Sequence, residues 1–160
     1  MVYRTFSKAY GLAGMRAGYS VGSLLLSRVL GKTLLPYHVN AYTLMAAECC
    51  YKHRQDFTAQ IKEICGQRDL MMAELQETGM EVWPSRTNFI CYRPAGKLQR
   101  VLAEAYDRKY GVNNFSQATK AGKFIFKNLL AEKILLRDFT EHQALQGCLR
   151  QTVGLPEENG

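Results

Sequence analysis

The chain has 160 residues, 47% of them hydrophobic, and a formal net charge of +7. That is long enough for a domain with a real core, and no apolar run approaches the roughly 18 residues a bilayer-spanning helix needs. The opening residues carry no apolar signal region, and the five cysteines are odd in number with no Cys-x-x-Cys pair. These features argue against a disulfide scaffold, a zinc site and a membrane partner, and for a reducing, cytoplasmic setting.

In chain order, residues 2–6 read as a short strand, and residues 17–21, where small and larger side chains alternate, as another. Ser23 is placed to cap a helix over residues 24–30 with Gly31 as its stop. Pro36 disfavours helix at Leu35, so residues 34–39 are expected to be extended. Asn40 then caps a helix reaching about His53. Phe57, Ile61, Ile64, Cys65, Met71, Met72 and Leu75 recur at three- and four-residue steps and predict a long helix stopped by Gly79. Residues 81–84 and 88–93 read as two strands joined by Ser85-Arg86-Thr87. Leu98, Val101, Leu102, Ala105 and Tyr106 suggest a helix, and Gly111-Val112-Asn113-Asn114 a turn after it. Residues 134–138 and 148–153 read as two more strands, and Pro156 with the acids behind it as the start of a last helix. Strand and helix alternate early and a smaller unit follows, so the expected fold is the end of an α/β domain (1–65) and then an α+β domain (66–160).

The charge is unevenly spread. Arg4, Lys8, Arg16, Arg28 and Lys32 all precede the first acid, Glu48, and such a segment favours anionic ligands. A second basic excess, with Arg108, Lys109, Lys120, Lys123 and Lys127, reads as a solvated face. Nothing specific in it supports a nucleic-acid partner.

The sharpest chemistry lies in Thr5-Phe6-Ser7-Lys8-Ala9-Tyr10-Gly11-Leu12-Ala13-Gly14-Met15-Arg16-Ala17-Gly18. A lysine amine condenses with a carbonyl to form a Schiff base. Hydroxyls and a guanidinium bind phosphate through charge-assisted hydrogen bonds. Pyridoxal 5'-phosphate carries both groups on one molecule.

This run resembles the lysine motif of the fold-type I, pyridoxal-phosphate-dependent aminotransferases, in the branch that contains histidinol-phosphate aminotransferase. The likeness continues through Pro36-Tyr37-His38-Val39-Asn40, Pro84-Ser85-Arg86-Thr87-Asn88-Phe89, Ile134-Leu135-Leu136-Arg137-Asp138 and Gly147-Cys148-Leu149-Arg150-Gln151-Thr152-Val153-Gly154. Residues 97–125 fall outside it and are expected to be an insertion. The resemblance implies Lys8 as the Schiff-base lysine and catalytic base, with Thr5, Ser7 and Arg16 on the cofactor phosphate. It implies Arg150 on a substrate carboxylate or phosphate, Arg137 on the phosphate, and weaker substrate roles for Asn88 and Tyr37. The implied substrates are histidinol phosphate or imidazole-acetol phosphate with glutamate or 2-oxoglutarate, in a homodimer and without a metal. Aromatic aminotransferases and threonine-phosphate decarboxylase share much of the pattern. The family places its lysine near the middle of a longer chain, so these residues are expected to be a C-terminal portion with little transaminase activity alone, or a binding remnant.

Overall fold

The structure is a computed structural model that describes residues 1–159. It divides into two compact units, Met1–Lys62 and the residues from Glu63 onward.

In the first unit, β1 (Val2–Thr5) pairs antiparallel with β2 (Gly18–Val21), Thr5 lying opposite Gly18. The pairing needs glycine there, since a Cβ at residue 18 would stand 2.8 Å from the Arg4 carbonyl oxygen. The long turn between the strands is closed by Phe6 N donating to Ala17 O (3.1 Å) and Leu12 N to Phe6 O (3.0 Å). Phe6 and Ala17 are its buried residues, and the Phe6 ring is tilted against Tyr10 and Tyr19.

Ser23 caps α1 (Leu24–Thr33), its hydroxyl accepting from Leu26 N. The helix does not stop at Gly31 but continues to Thr33, whose hydroxyl donates to Leu30 O at 2.8 Å. A glycine lowers helix propensity by only about 1 kcal/mol, too little to end a helix by itself. The following link is a turn rather than an extended segment: His38 N donates to Leu35 O, and Tyr37 takes a left-handed φ of 59°. Asn40 then caps α2 (Ala41–Lys52) by accepting from Thr43 N at 2.8 Å. Thr43 is buried and donates to Met15 O at 3.1 Å, which ties α2 to the β1–β2 turn.

The long helix α3 (Thr58–Glu77) ends before Gly79, whose φ of 89° suits a C-terminal stop. It leads into a sheet of β3 (Met80–Val82), β4 (Phe89–Pro94), β5 (Arg137–Asp138) and β6 (Leu149–Thr152), in the order β3-β4-β6-β5 with every pairing antiparallel. Burial alternates strictly along β4, with Ile90, Tyr92 and Pro94 inward. Met71, Ile90, Tyr92, Leu136, Leu149 and Val153 make the core, against which Ile64, Met72 and Leu75 of α3 pack.

Between β4 and β5 lie α4 (Gly96–Tyr110) and α5 (Gln117–Ala131), packed on each other. The second of these has no clear forecast in the sequence. Ser116 caps it, and Gly122 lets it approach the 140–147 loop, where a Cβ would stand 2.5 Å from Gly147 O. The predicted strand over 134–138 shrinks to two residues. Lys133 takes a φ of 66° and Ile134 N donates to Leu129 O at 2.8 Å, so the chain is still leaving α5 there. The solvated basic face is also corrected in part. Lys120 is 6% exposed and donates to Asp107 Oδ2 at 2.9 Å, while Lys123, little exposed, pairs with Asp138 and Glu141. The chain closes with α6 (Pro156–Asn159).

Candidate functional site

The Lys8 segment is the turn that joins β1 to β2, and its backbone is locally tied. Gly11 N donates to Lys8 O at 3.0 Å, with Gly11 at a φ of 67°. Thr5 Oγ1 accepts from Ser7 N at 3.0 Å and donates to Ala17 O at 3.5 Å. Arg16 follows a short 3-10 turn (Ala13–Met15) in the left-handed region, φ 53°, and its Nη1 donates to Ala13 O at 3.0 Å. A non-glycine residue in that region is under backbone strain, which folds retain mainly where a side chain must be aimed. Thr5, Lys8 and Arg16 are exposed and Ser7 is half-buried. The turn therefore offers an amine, hydroxyls and a guanidinium in a segment without a carboxylate before Glu48. Tyr37 stands apart from any wall, 98% exposed on the turn after α1.

In the second unit, Arg137 and Arg150 are directly opposed Cα partners on β5 and β6. They share a cavity of about 260 Å³ with Gln151, Thr152, Gly154, Asn159 and the 134–136 segment. Like charges placed opposite one another on neighbouring strands repel. Among the described residues neither guanidinium has a carboxylate within ion-pair distance. Aromatic rings flank them instead. The Arg150 guanidinium lies 4.4 Å over Phe89 and 5.7 Å from Phe139, and that of Arg137 lies 5.8 Å from Phe139. Such contacts favour a cation over a ring face.

Asn159 closes one wall. Its Oδ1 accepts from Gly154 N and its Nδ2 donates to Gly154 O, both at 3.0 Å, and Nδ2 also reaches Gln67 Oε1 at 3.3 Å. Asn88 does not line the cavity; its carbonyl accepts from Val153 N at 2.9 Å and so helps hold β4 against the end of β6. On the same sheet, burial raises the Cys91 thiol above its usual range, partly opposed by Cys148 and Arg150, and pushes Cys148 up to about 11.

Sequence reasoning named Arg137 and Arg150, but not Thr152 and Asn159, which line the same cavity, nor Phe139, whose ring both guanidiniums approach. Thr152 was open to discovery, being two residues beyond Arg150 on one strand and so on the same face. Phe139 and Asn159 join the group only through the β5–β6 pairing and the turn at Gly154, which no local pattern reveals.

A family model for "Aminotransferase class I and II" matches residues 1–159. Histidinol-phosphate aminotransferase of Nocardia farcinica is 31% identical over 159 residues, covering 99% of this chain and 34% of that protein. A Burkholderia pseudomallei protein described as an aminotransferase superposes with a TM-score of 0.74 at 25% identity, over 99% of this chain and 41% of its own. Histidinol-phosphate aminotransferase of Sinorhizobium meliloti, solved in complex with pyridoxal-5'-phosphate, shares the fold with a TM-score of 0.64 at 22% identity, over 98% of this chain and 37% of its own. The chain spans about a third of the length of the curated relatives it matches.

Proposed function

The chain belongs to the aminotransferase class I and II family, and from that premise we propose that it carries the cofactor lysine and the substrate arginines of a pyridoxal-phosphate-dependent histidinol-phosphate aminotransferase. The reading assigns residues 1–65 to the cofactor-binding part and 66–160 to the substrate-binding part of a protein that works as a homodimer.

The donor set of the β1–β2 turn fits the cofactor. Lys8 offers an amine to its aldehyde, and Thr5, Ser7 and Arg16 offer two hydroxyls and a guanidinium to its phosphate. No acid precedes Glu48 to repel that dianion. When bound, pyridoxal phosphate supplies an aldehyde that captures the substrate amine and a ring that withdraws electrons from its Cα. Lys8 Nζ removes the Cα proton and later returns a proton, as a general base and then an acid. Arg150 holds the carboxylate of the amino donor, glutamate, or the phosphate of histidinol phosphate, because its planar fork suits either anion. Arg137 adds a second fork for the phosphate.

What carries the reading is the opposed arginine pair on one cavity, with no carboxylate partner among the described residues, an arrangement of two cations that calls for an anion. Borohydride reduction of the chain in the presence of pyridoxal phosphate, followed by peptide mass spectrometry, tests the cofactor part. The adduct is expected on Lys8 and absent from Lys8→Ala; an adduct elsewhere, or none, overturns the assignment. Binding of histidinol phosphate against phenylalanine and O-phosphothreonine tests the substrate part, and a preference for either of the latter would move the chain to another branch of the family.

A further inference from the structure

We propose that Phe139 is a positioning residue that sets Arg137 beside Arg150 and so makes the cavity select a phosphate over a carboxylate. The inference rests on the reading of the two arginines as one anion site and names the residue that gives that site its selectivity.

The two guanidiniums are supported unequally. Arg150 sits on the four-residue strand β6, between two neighbours, and lies close over the Phe89 ring at 4.4 Å with Phe139 as a second ring at 5.7 Å. Arg137 is exposed on the two-residue edge strand β5, and the only ring its guanidinium approaches among the described residues is Phe139, at 5.8 Å. One ring is thus shared by both cations, and among the described residues it is the one ring that both approach.

Phe139 is itself well held. Its backbone N–H donates to Cys148 O at 3.1 Å, continuing the β5–β6 pairing one residue past the strand. Thr140, next in the chain, is fully buried and bonded through both its N–H and its hydroxyl to Asp138 Oδ1. The His142 ring packs edge-on against Phe139 at 6.3 Å. A ring on so tied a backbone, packed edge-on against His142, can orient a long, exposed arginine that a two-residue strand cannot.

The consequence is specific to the anion. A carboxylate has two oxygens and is served by one guanidinium fork; a phosphate has further oxygens for a second fork. Removing Phe139 leaves Arg150 on Phe89 but frees Arg137, so phosphate binding falls while carboxylate binding persists.

The test uses the purified chain, inorganic phosphate and acetate as probes, and NMR titration of the Arg Nε–Hε and Gly154 amide signals. Arg150→Gln comes first and is expected to lose both anions. If it leaves both titrations unchanged, the anion-site reading fails and this inference with it. With that established, Phe139→Ala is expected to weaken phosphate about threefold to fivefold, the worth of one partly exposed cation–ring contact, and acetate by less than about twofold. Phe139→Tyr, which keeps the ring, restores the phosphate-to-acetate ratio, whereas Phe139→Leu, which keeps bulk alone, does not. An unchanged ratio in Phe139→Ala, or a leucine variant as selective as the tyrosine one, overturns the proposal while leaving the anion site standing.

Discussion

Leu25 and Leu149 are the same residue on regular secondary structure, yet Leu25 on α1 is 73% exposed and Leu149 on β6 is fully buried. The contrast extends to the units they belong to. In the second, a four-stranded sheet closes over α3 and α5, and six residues form a continuous core. In the first, the buried residues are Phe6, Ala17 and Thr43, while Leu24, Leu25, Leu35, Tyr42 and Met45 face outward. Its order comes from caps, turn hydrogen bonds and the Phe6–Tyr10–Phe57 ring contacts. A cavity built on the well-packed sheet is thus rigid by construction, whereas the Lys8 turn depends on local bonds that open readily.

The largest test of this difference is a pair of truncations. Leu149→Ala should cost the second unit about 2–5 kcal/mol, since a fully buried leucine leaves both lost burial and a cavity. Leu25→Ala should change stability by no more than about 0.5 kcal/mol, as an exposed position does. Urea unfolding followed through Trp83, the single tryptophan and a residue of the second unit, measures the first; circular dichroism of the whole chain measures the second. Equal effects would show that the two units do not differ in packing.

The same difference explains what the sequence made legible. The caps Ser23 and Asn40, the long helix α3 and the alternation of β4 are local signals, and each was readable from residue type and spacing. The turn carrying the Lys8 run was readable too, because its residues are contiguous, and its cofactor role is a proposal. Helix α5 was hidden because its inward face carries Thr119, Lys120 and Gly122, which break an apolar stripe. Lys120 can lie there only because α4 brings Asp107 to it. Phe139 was hidden for a similar reason: its contacts with both arginines exist only once β5 and β6 pair.

A smaller effect is expected at high pH and comes from buried groups of the second unit. Burial pushes the Tyr92 phenol up to about 12 from an ordinary 10.0, with the nearby Cys91 adding to the rise, and Cys148 up to about 11 from 9.0. Both groups are harder to ionise folded than unfolded. Their stabilising effect is therefore whole below pH 9, and is lost as pH rises through 9–11 for Cys148 and 10–12 for Tyr92. The loss from Tyr92 should be on the order of 2 kcal/mol. The urea midpoint seen by Trp83 should fall across this range, and Tyr92→Phe should remove the upper part of the fall. A midpoint flat from pH 8 to 11.5 would contradict the burial of both groups.

The finest comparison sets one helix cap against another. Asn40 Oδ1 accepts from Thr43 N at 2.8 Å in the first unit, and Ser116 Oγ accepts from Thr119 N at 3.2 Å in the second. Either replaced by alanine loses about 1 kcal/mol of cap energy. The two losses should surface differently. In α5 the cap adds to a helix whose Ile125, Phe126 and Leu129 are packed on the sheet core, so Ser116→Ala should lower the global midpoint seen by Trp83. In α2 the buried side chain is Thr43, at the capped end itself, so Asn40→Ala should instead speed hydrogen exchange along 41–47 about fivefold and leave the Trp83 transition in place. A Trp83 midpoint that moves equally in both variants would mean that the first unit unfolds together with the second, and that its few buried residues are coupled to more of the molecule than their number implies.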